Sequence, residues 1–137
     1  MYKINKKSDV HLVSTIIAVS DLERSTQFYS EIFKWKLFLK EAAVTIFELP
    51  DKKHFMLYKK DSFAINPGQQ PIIVPDGSIT ATEFYFHTQH MEEVIQRLET
   101  NGTRLLTSLA RRTWGDEAAY YSDPDGNVIA VGRPLKK

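Results

Sequence analysis

The stretch YYSDPDGNVIAVG, residues 120 to 132, decides how the chain folds. Two runs of strand-forming residues flank DPDG, and each residue of that turn has its own physical reason to be there. Aspartate accepts local backbone hydrogen bonds, Pro124 fixes its φ, and Gly126 takes a dihedral that other residues avoid. Asp123 and Asp125 are therefore read as turn formers rather than as a catalytic pair. A second turn of four residues, PDKK at 50–53, separates AVTIFEL (43–49) from HFMLYK (54–59).

Working outward, the two turns occupy matching places in a repeated order. The first half opens with HLVSTIIAV (11–19), rich in β-branched residues and read as a strand. Ser20 is the expected helix cap, with Glu23 positioned to return the bond. Leu22, Phe28, Tyr29, Ile32 and Phe33 then form a helical stripe. Strands are expected at 35–39, 43–49 and 54–59.

The second half opens with TEFYFHT (82–88) as a strand. Met91, Val94, Ile95 and Leu98 follow at helical spacing up to Asn101-Gly102, a stop signal because glycine tolerates the left-handed conformation. Strands at 103–109, 116–121 and 127–132 complete the copy. NPGQQPIIVPDG (66–77), with three prolines and two glycines, reads as a linker. The expected fold is α+β, a single domain over residues 1–137. It comprises a βαβββ module over about 9–65, a linker over about 66–78 and a second module over about 79–134. Neither module buries its sheet alone, so the two are expected to pack together around a cleft.

Composition narrows the function. Lys+Arg 18 against Asp+Glu 17 gives a net charge of +1, too even to steer a polyanion, so no nucleic-acid partner is expected. Lysines bunch at Lys3, Lys6, Lys7 and again at Lys136, Lys137, which read as solvated termini. The absence of cysteine removes disulfides, thiolate nucleophiles and thiolate zinc sites together. No apolar run is long enough for a signal peptide or a bilayer span, so no membrane partner and a cytoplasmic location are expected. Serine-hydrolase, zincin, Walker and dinucleotide fingerprints are all missing.

The segments IIAVSDLERSTQFYSEIFKWKL (16–37), RLETNGTRLL (97–106) and WGDEAAYYSDPDGNVIAV (114–131), in this duplicated order, resemble the vicinal oxygen chelate superfamily. That is the glyoxalase, bleomycin-resistance and extradiol-dioxygenase group. The resemblance implies paired βαβββ modules around a U-shaped cleft, commonly a homodimer, with metal ligands on the first and last strand of each module. Counting from the matching motifs places those positions at Ser14, Leu57, Glu83 and Ala130. Only Glu83 among them is a firm ligand; a reactive divalent centre wants about three nitrogen or carboxylate donors. His11 and His54 have the wrong strand parity to help. His87 shares parity with Glu83 but stands roughly 13 Å along the strand. No metal and no other cofactor is therefore expected.

Alternation nevertheless names a cleft wall: Ser14, Ile16 and Ala18; Phe55, Leu57 and Lys59; Glu83, Tyr85 and His87; Val128, Ala130 and Gly132. The segment LARRTWGDE (109–117) adds Arg111 or Arg112 for an anionic group and Trp114 for stacking. Two readings of Glu83 stay open, a ligand contact or a partner to an arginine at the module interface. The leading functional expectation is metal-independent binding of a small apolar, aromatic or cationic molecule. Its ligand-binding residues would be Ser14, Leu57, Glu83, Tyr85, His87, Arg111, Trp114 and Ala130, with no catalytic residue. The alternatives are a lyase, isomerase or dioxygenase with Glu83 as base, or on an unusual metal site, and a structural or regulatory protein whose cleft has filled in.

Overall fold

Each half of the chain builds its own sheet of four strands. The structure is a computed structural model describing residues 7–71 and 73–136; Lys3, Lys6 and Lys137 of the terminal lysine runs lie outside the described residues. The first module contains β1 (Ser14–Val19), α1 (Leu22–Phe33), β2 (Lys36–Lys40), β3 (Val44–Glu48) and β4 (His54–Lys59). The second contains β5 (Glu83–His87), α3 (Met91–Thr100), β6 (Arg104–Arg111), β7 (Asp116–Ser122) and β8 (Val128–Pro134). The strand orders β1-β4-β3-β2 and β5-β8-β7-β6 are the same topology twice. In both, the first strand pairs parallel with the last and the other pairs are antiparallel. A short helix, α2 (Lys60–Ile65), continues directly from β4 and was not expected from the sequence.

The turns behave as their chemistry requires. Gly126 sits at φ 90° and donates its N–H to the Asp123 carbonyl at 3.1 Å. In the matching PDKK turn Lys52 takes φ 73°, and its N–H bonds the Leu49 carbonyl at 2.9 Å. One local expectation is corrected. The cap of α1 is Asp21, whose carboxylate accepts the Arg24 N–H at 3.1 Å. The Ser20 N–H instead reaches the Asp125 carboxylate at 2.9 Å, across the module boundary.

That crossing is one strand of a latch. Tyr29 from α1 is fully buried and donates its hydroxyl to Asp123 Oδ2 at 2.6 Å. Asp125 accepts from Ser25 Oγ as well as from Ser20. The DPDG turn of the second module thus holds the start of the first helix. Around Tyr29 the two modules share one apolar core, built from Ile17, Ile32, Phe47, Leu57, Leu98, Ile129 and their neighbours. Phe33 of α1 meets Phe86 at 4.8 Å between ring centroids, and Phe55 meets Phe84 at 5.2 Å, so aromatic contacts bridge the modules directly. Trp35 stacks on Phe33 at 4.6 Å within this cluster. Helices α1 and α3 pack on each other and on these inner faces, leaving the outer face of each sheet turned away from the core.

Candidate functional site

Register settles which residues share an outer face. In the first sheet Ser14 pairs with His54, Ile16 with Met56 and Ala18 with Tyr58. Leu57 pairs with Ile17, and both are buried in the core. The expectation that Phe55, Leu57 and Lys59 line the cleft is therefore corrected by one residue. His54, Met56 and Tyr58 share the outer face with Ser14, and Met56, not Leu57, is the counterpart of Ala130. His54, set aside on parity, lies directly beside Ser14.

The second sheet carries the expected parity. Glu83, Tyr85 and His87 are exposed and pair with Val128, Ala130 and Gly132. Strand β7 adds Asp116, Ala118, Tyr120 and Ser122 to the same face. Ala130 is fully buried between its register partners Tyr85 and Tyr120. Arg111 pairs with Glu117, and that register assigns it to the opposite face, where Glu117 and Glu92 share Arg133. Its expected cleft contact is thereby corrected. Arg104, paired with Ser122, shares the outer face, as does Arg112, its guanidinium 4.9 Å from the centre of the Tyr120 ring. Arg112 is already tied to the carbonyls of Ala118 and Ser108.

The polar centre of this face was not legible in the sequence. Asp116, only 8% exposed, accepts the Tyr85 hydroxyl at 2.6 Å and bonds His87 Nε2 at 2.7 Å through the same oxygen, Oδ2. Trp114 Nε1 donates to Tyr85 Oη at 2.8 Å. The bonds from Tyr85 and then His87 hold the Asp116 carboxyl below its ordinary range. Desolvation first, then the bond to Asp116, pushes the Tyr85 phenol up. Space for the tyrosine exists because residue 132 is glycine: a Cβ there would stand 2.9 Å from Tyr85 Oη. Further along, Glu83 makes no ion pair among the described residues. Burial and then the Glu83 charge raise the Tyr120 phenol, against the opposing pull of Arg112.

This geometry bears on the metal question. The four positions implied by the fold family are occupied by Ser14, Met56, Glu83 and Ala130, which offer one carboxylate among them. Among the described residues no three His, Asp or Glu side chains gather closely enough to hold an ion. The donor set does not fit a catalytic divalent centre, and no step is derived through one. Nor do Tyr85, His87 and Arg111 gather around Glu83 as partners of a base: two are bound to Asp116 and the third is assigned to the other face.

A cavity of about 1050 Å³ lies elsewhere, beneath the linker that follows α2. Its charged wall is mostly engaged within the protein. Arg104 bonds the Gly77 carbonyl at 2.7 Å, Arg24 the Pro124 carbonyl at 3.4 Å, and Asp123 and Asp125 serve the latch. A groove of about 450 Å³ opens beside His87, between the end of α1 and the start of α3. The Glu83 carboxylate, unpaired among the described residues, and the Asp116 cluster, with exposed Tyr85 and Trp114, share the outer face of the second sheet, and the candidate site is placed there.

Comparison with known proteins agrees with this architecture. Residues 12–136 match the family model of the glyoxalase-like domain. A glyoxalase-related enzyme from Fulvimarina pelagi is 18% identical, with 89% of this chain and 86% of that chain covered and a TM-score of 0.77. A glyoxalase/bleomycin resistance protein/dioxygenase from Nocardioides is 18% identical over 97% of this chain and 89% of that one, also at 0.77. Lactoylglutathione lyase from Agrobacterium tumefaciens is 20% identical over 92% and 94%, at 0.69. The chain belongs to the glyoxalase-like domain family of the vicinal oxygen chelate superfamily. Its α+β fold of two modules is the fold of that group.

Proposed function

We propose that this protein binds a small apolar or aromatic molecule, neutral or cationic, without a metal. The single observation that carries the reading is the donor set at the family's four ligand positions, where Glu83 stands as the only carboxylate beside Ser14, Met56 and Ala130. Around Glu83 the outer face presents Tyr85 and Trp114, 38% and 56% exposed, a pairing of apolar surface with a few fixed polar groups that suits a small ligand. Glu83, free of any arginine among the described residues, supplies attraction for positive charge. The exposure of Glu83, Tyr85 and His87 supports an open face over a filled one.

A second copy of the chain is part of this reading. Leu37, Phe38 and Leu39 of β2 and Val10, Leu12, Val13 and Ile16 near β1 are all at least 39% exposed, an apolar surface that one chain leaves uncovered. No described helix is long and apolar enough to cross a membrane, and the proposed place of action is the cytoplasm. Elemental analysis of purified protein, sedimentation, and a thermal-shift screen of small aromatic compounds test the proposal together. The expected result is a dimer, no stoichiometric transition metal and stabilisation by aromatic compounds. About one Zn²⁺, Fe²⁺, Mn²⁺ or Ni²⁺ retained per chain and lost on Glu83→Ala would overturn it.

A further inference from the structure

The hydrogen-bond inventory of the Asp116 cluster leaves one ring nitrogen unaccounted for. A carboxylate only accepts, so the atom of His87 that faces Asp116 Oδ2, Nε2, must be the one that carries the proton. In the neutral ring the lone pair then resides on Nδ1. No hydrogen bond is made by Nδ1 among the described residues, and the side chain is 52% exposed. Tyr85, by contrast, is committed in both directions, donating to Asp116 and accepting from Trp114. The cluster therefore fixes a tautomer, and what it leaves for a ligand is an acceptor, close to two aromatic side chains.

We propose that Asp116 and His87 form a specificity-determining subsite that accepts an N–H from the ligand, choosing aromatic amines and amidines over carboxylates of the same shape. This rests on the small-molecule reading above and narrows it to a chemical class. Asp116 is the positioning residue, since it acts through the ring it orients. The charges on this face point the same way. Glu83 and Asp116 are acidic, while the arginines that share this face are spent within the protein: Arg112 on backbone carbonyls and the Tyr120 ring, and Arg104, paired with Ser122, on the Gly77 carbonyl.

The test uses the full chain and two planar probes of nearly equal size, benzamidine and benzoate, followed by NMR of the His87 ring and the Trp114 indole N–H. Long-range ¹⁵N–¹H spectra of the free protein at pH 8 should show the Nε2–H tautomer, lost as a single form in Asp116→Asn. Benzamidine should move both the His87 and Trp114 signals and bind at least about tenfold more tightly than benzoate. His87→Phe, at a half-exposed position that keeps the fold, should weaken it by about tenfold, the ratio one charge-assisted hydrogen bond sets. An Nδ1–H tautomer in the free protein overturns the proposal. So does equal binding of the two probes at this face with His87→Phe unchanged, which leaves the metal-free binding site standing. Absence of any response on this face to either probe overturns both.

Discussion

Replacing Tyr29 with phenylalanine isolates the latch between the modules. The ring contacts with Phe28, Phe33, Trp35 and Phe55 survive, at centroid distances of 5.0 to 6.1 Å, so the change removes one hydroxyl and little else. That hydroxyl donates to a buried carboxylate, and bonds to charged groups are worth about 1.5–3 kcal/mol. Asp123 keeps three other donors, the N–H groups of Asp125 and Asn127 and the Asn127 side-chain amide. The cost therefore falls toward the lower end, about 2 kcal/mol. With an unfolding entropy of about 2.1 cal/mol/K per residue, that is a fall in Tm of about 7 °C for a chain of this length. Urea denaturation at pH 7 with unchanged m-value is the assay. A loss below about 0.5 kcal/mol, the range of an ordinary surface substitution, would refute the claim that the DPDG turn holds the two modules together.

Three further outcomes are expected. Leu57→Ala should cost about 3–4 kcal/mol and Met56→Ala about 1 kcal/mol by urea denaturation, because one side chain fills the core and the other lies on the outer face; equal costs would reverse the assigned parity. Gly132→Ala should destabilise by about 1–3 kcal/mol and shift the Trp114 indole resonance, since its Cβ would stand 2.9 Å from Tyr85 Oη and 3.2 Å from the Glu117 carbonyl. Carboxyl ¹³C titration should place Asp116 below, and Asp123 above, the value of about 3.9 for a free aspartate. Bonds from Tyr85 and His87 lower Asp116; burial raises Asp123 against the bonds it accepts from Tyr29 and Asn127. The stabilisation from Asp116 is accordingly present above the unfolded value and lost as pH falls through its lowered midpoint. The contribution of Asp123 is full below the unfolded value and lost as pH rises through its raised midpoint.

What the sequence alone determined is what local chemistry can encode. The two turns, the helical stripes, the Asn101-Gly102 stop and the duplicated order all follow from residues within a few positions of one another. Glu83, Tyr85 and His87 were also legible as one face, because alternation within a single strand needs no partner. The tertiary structure decided the rest. Strand side chains alternate with a period of two, so a count that slips by one residue exchanges faces, and only pairing with β1 shows that Met56 rather than Leu57 belongs outside. Asp116 is 29 residues from His87 and 31 from Tyr85, and nothing in DEAAYY announces that its first residue will hold both. The second role of DPDG, gripping a helix about 100 residues earlier, likewise exists only once the modules meet. Turn chemistry is a property of four residues, but a latch requires two surfaces.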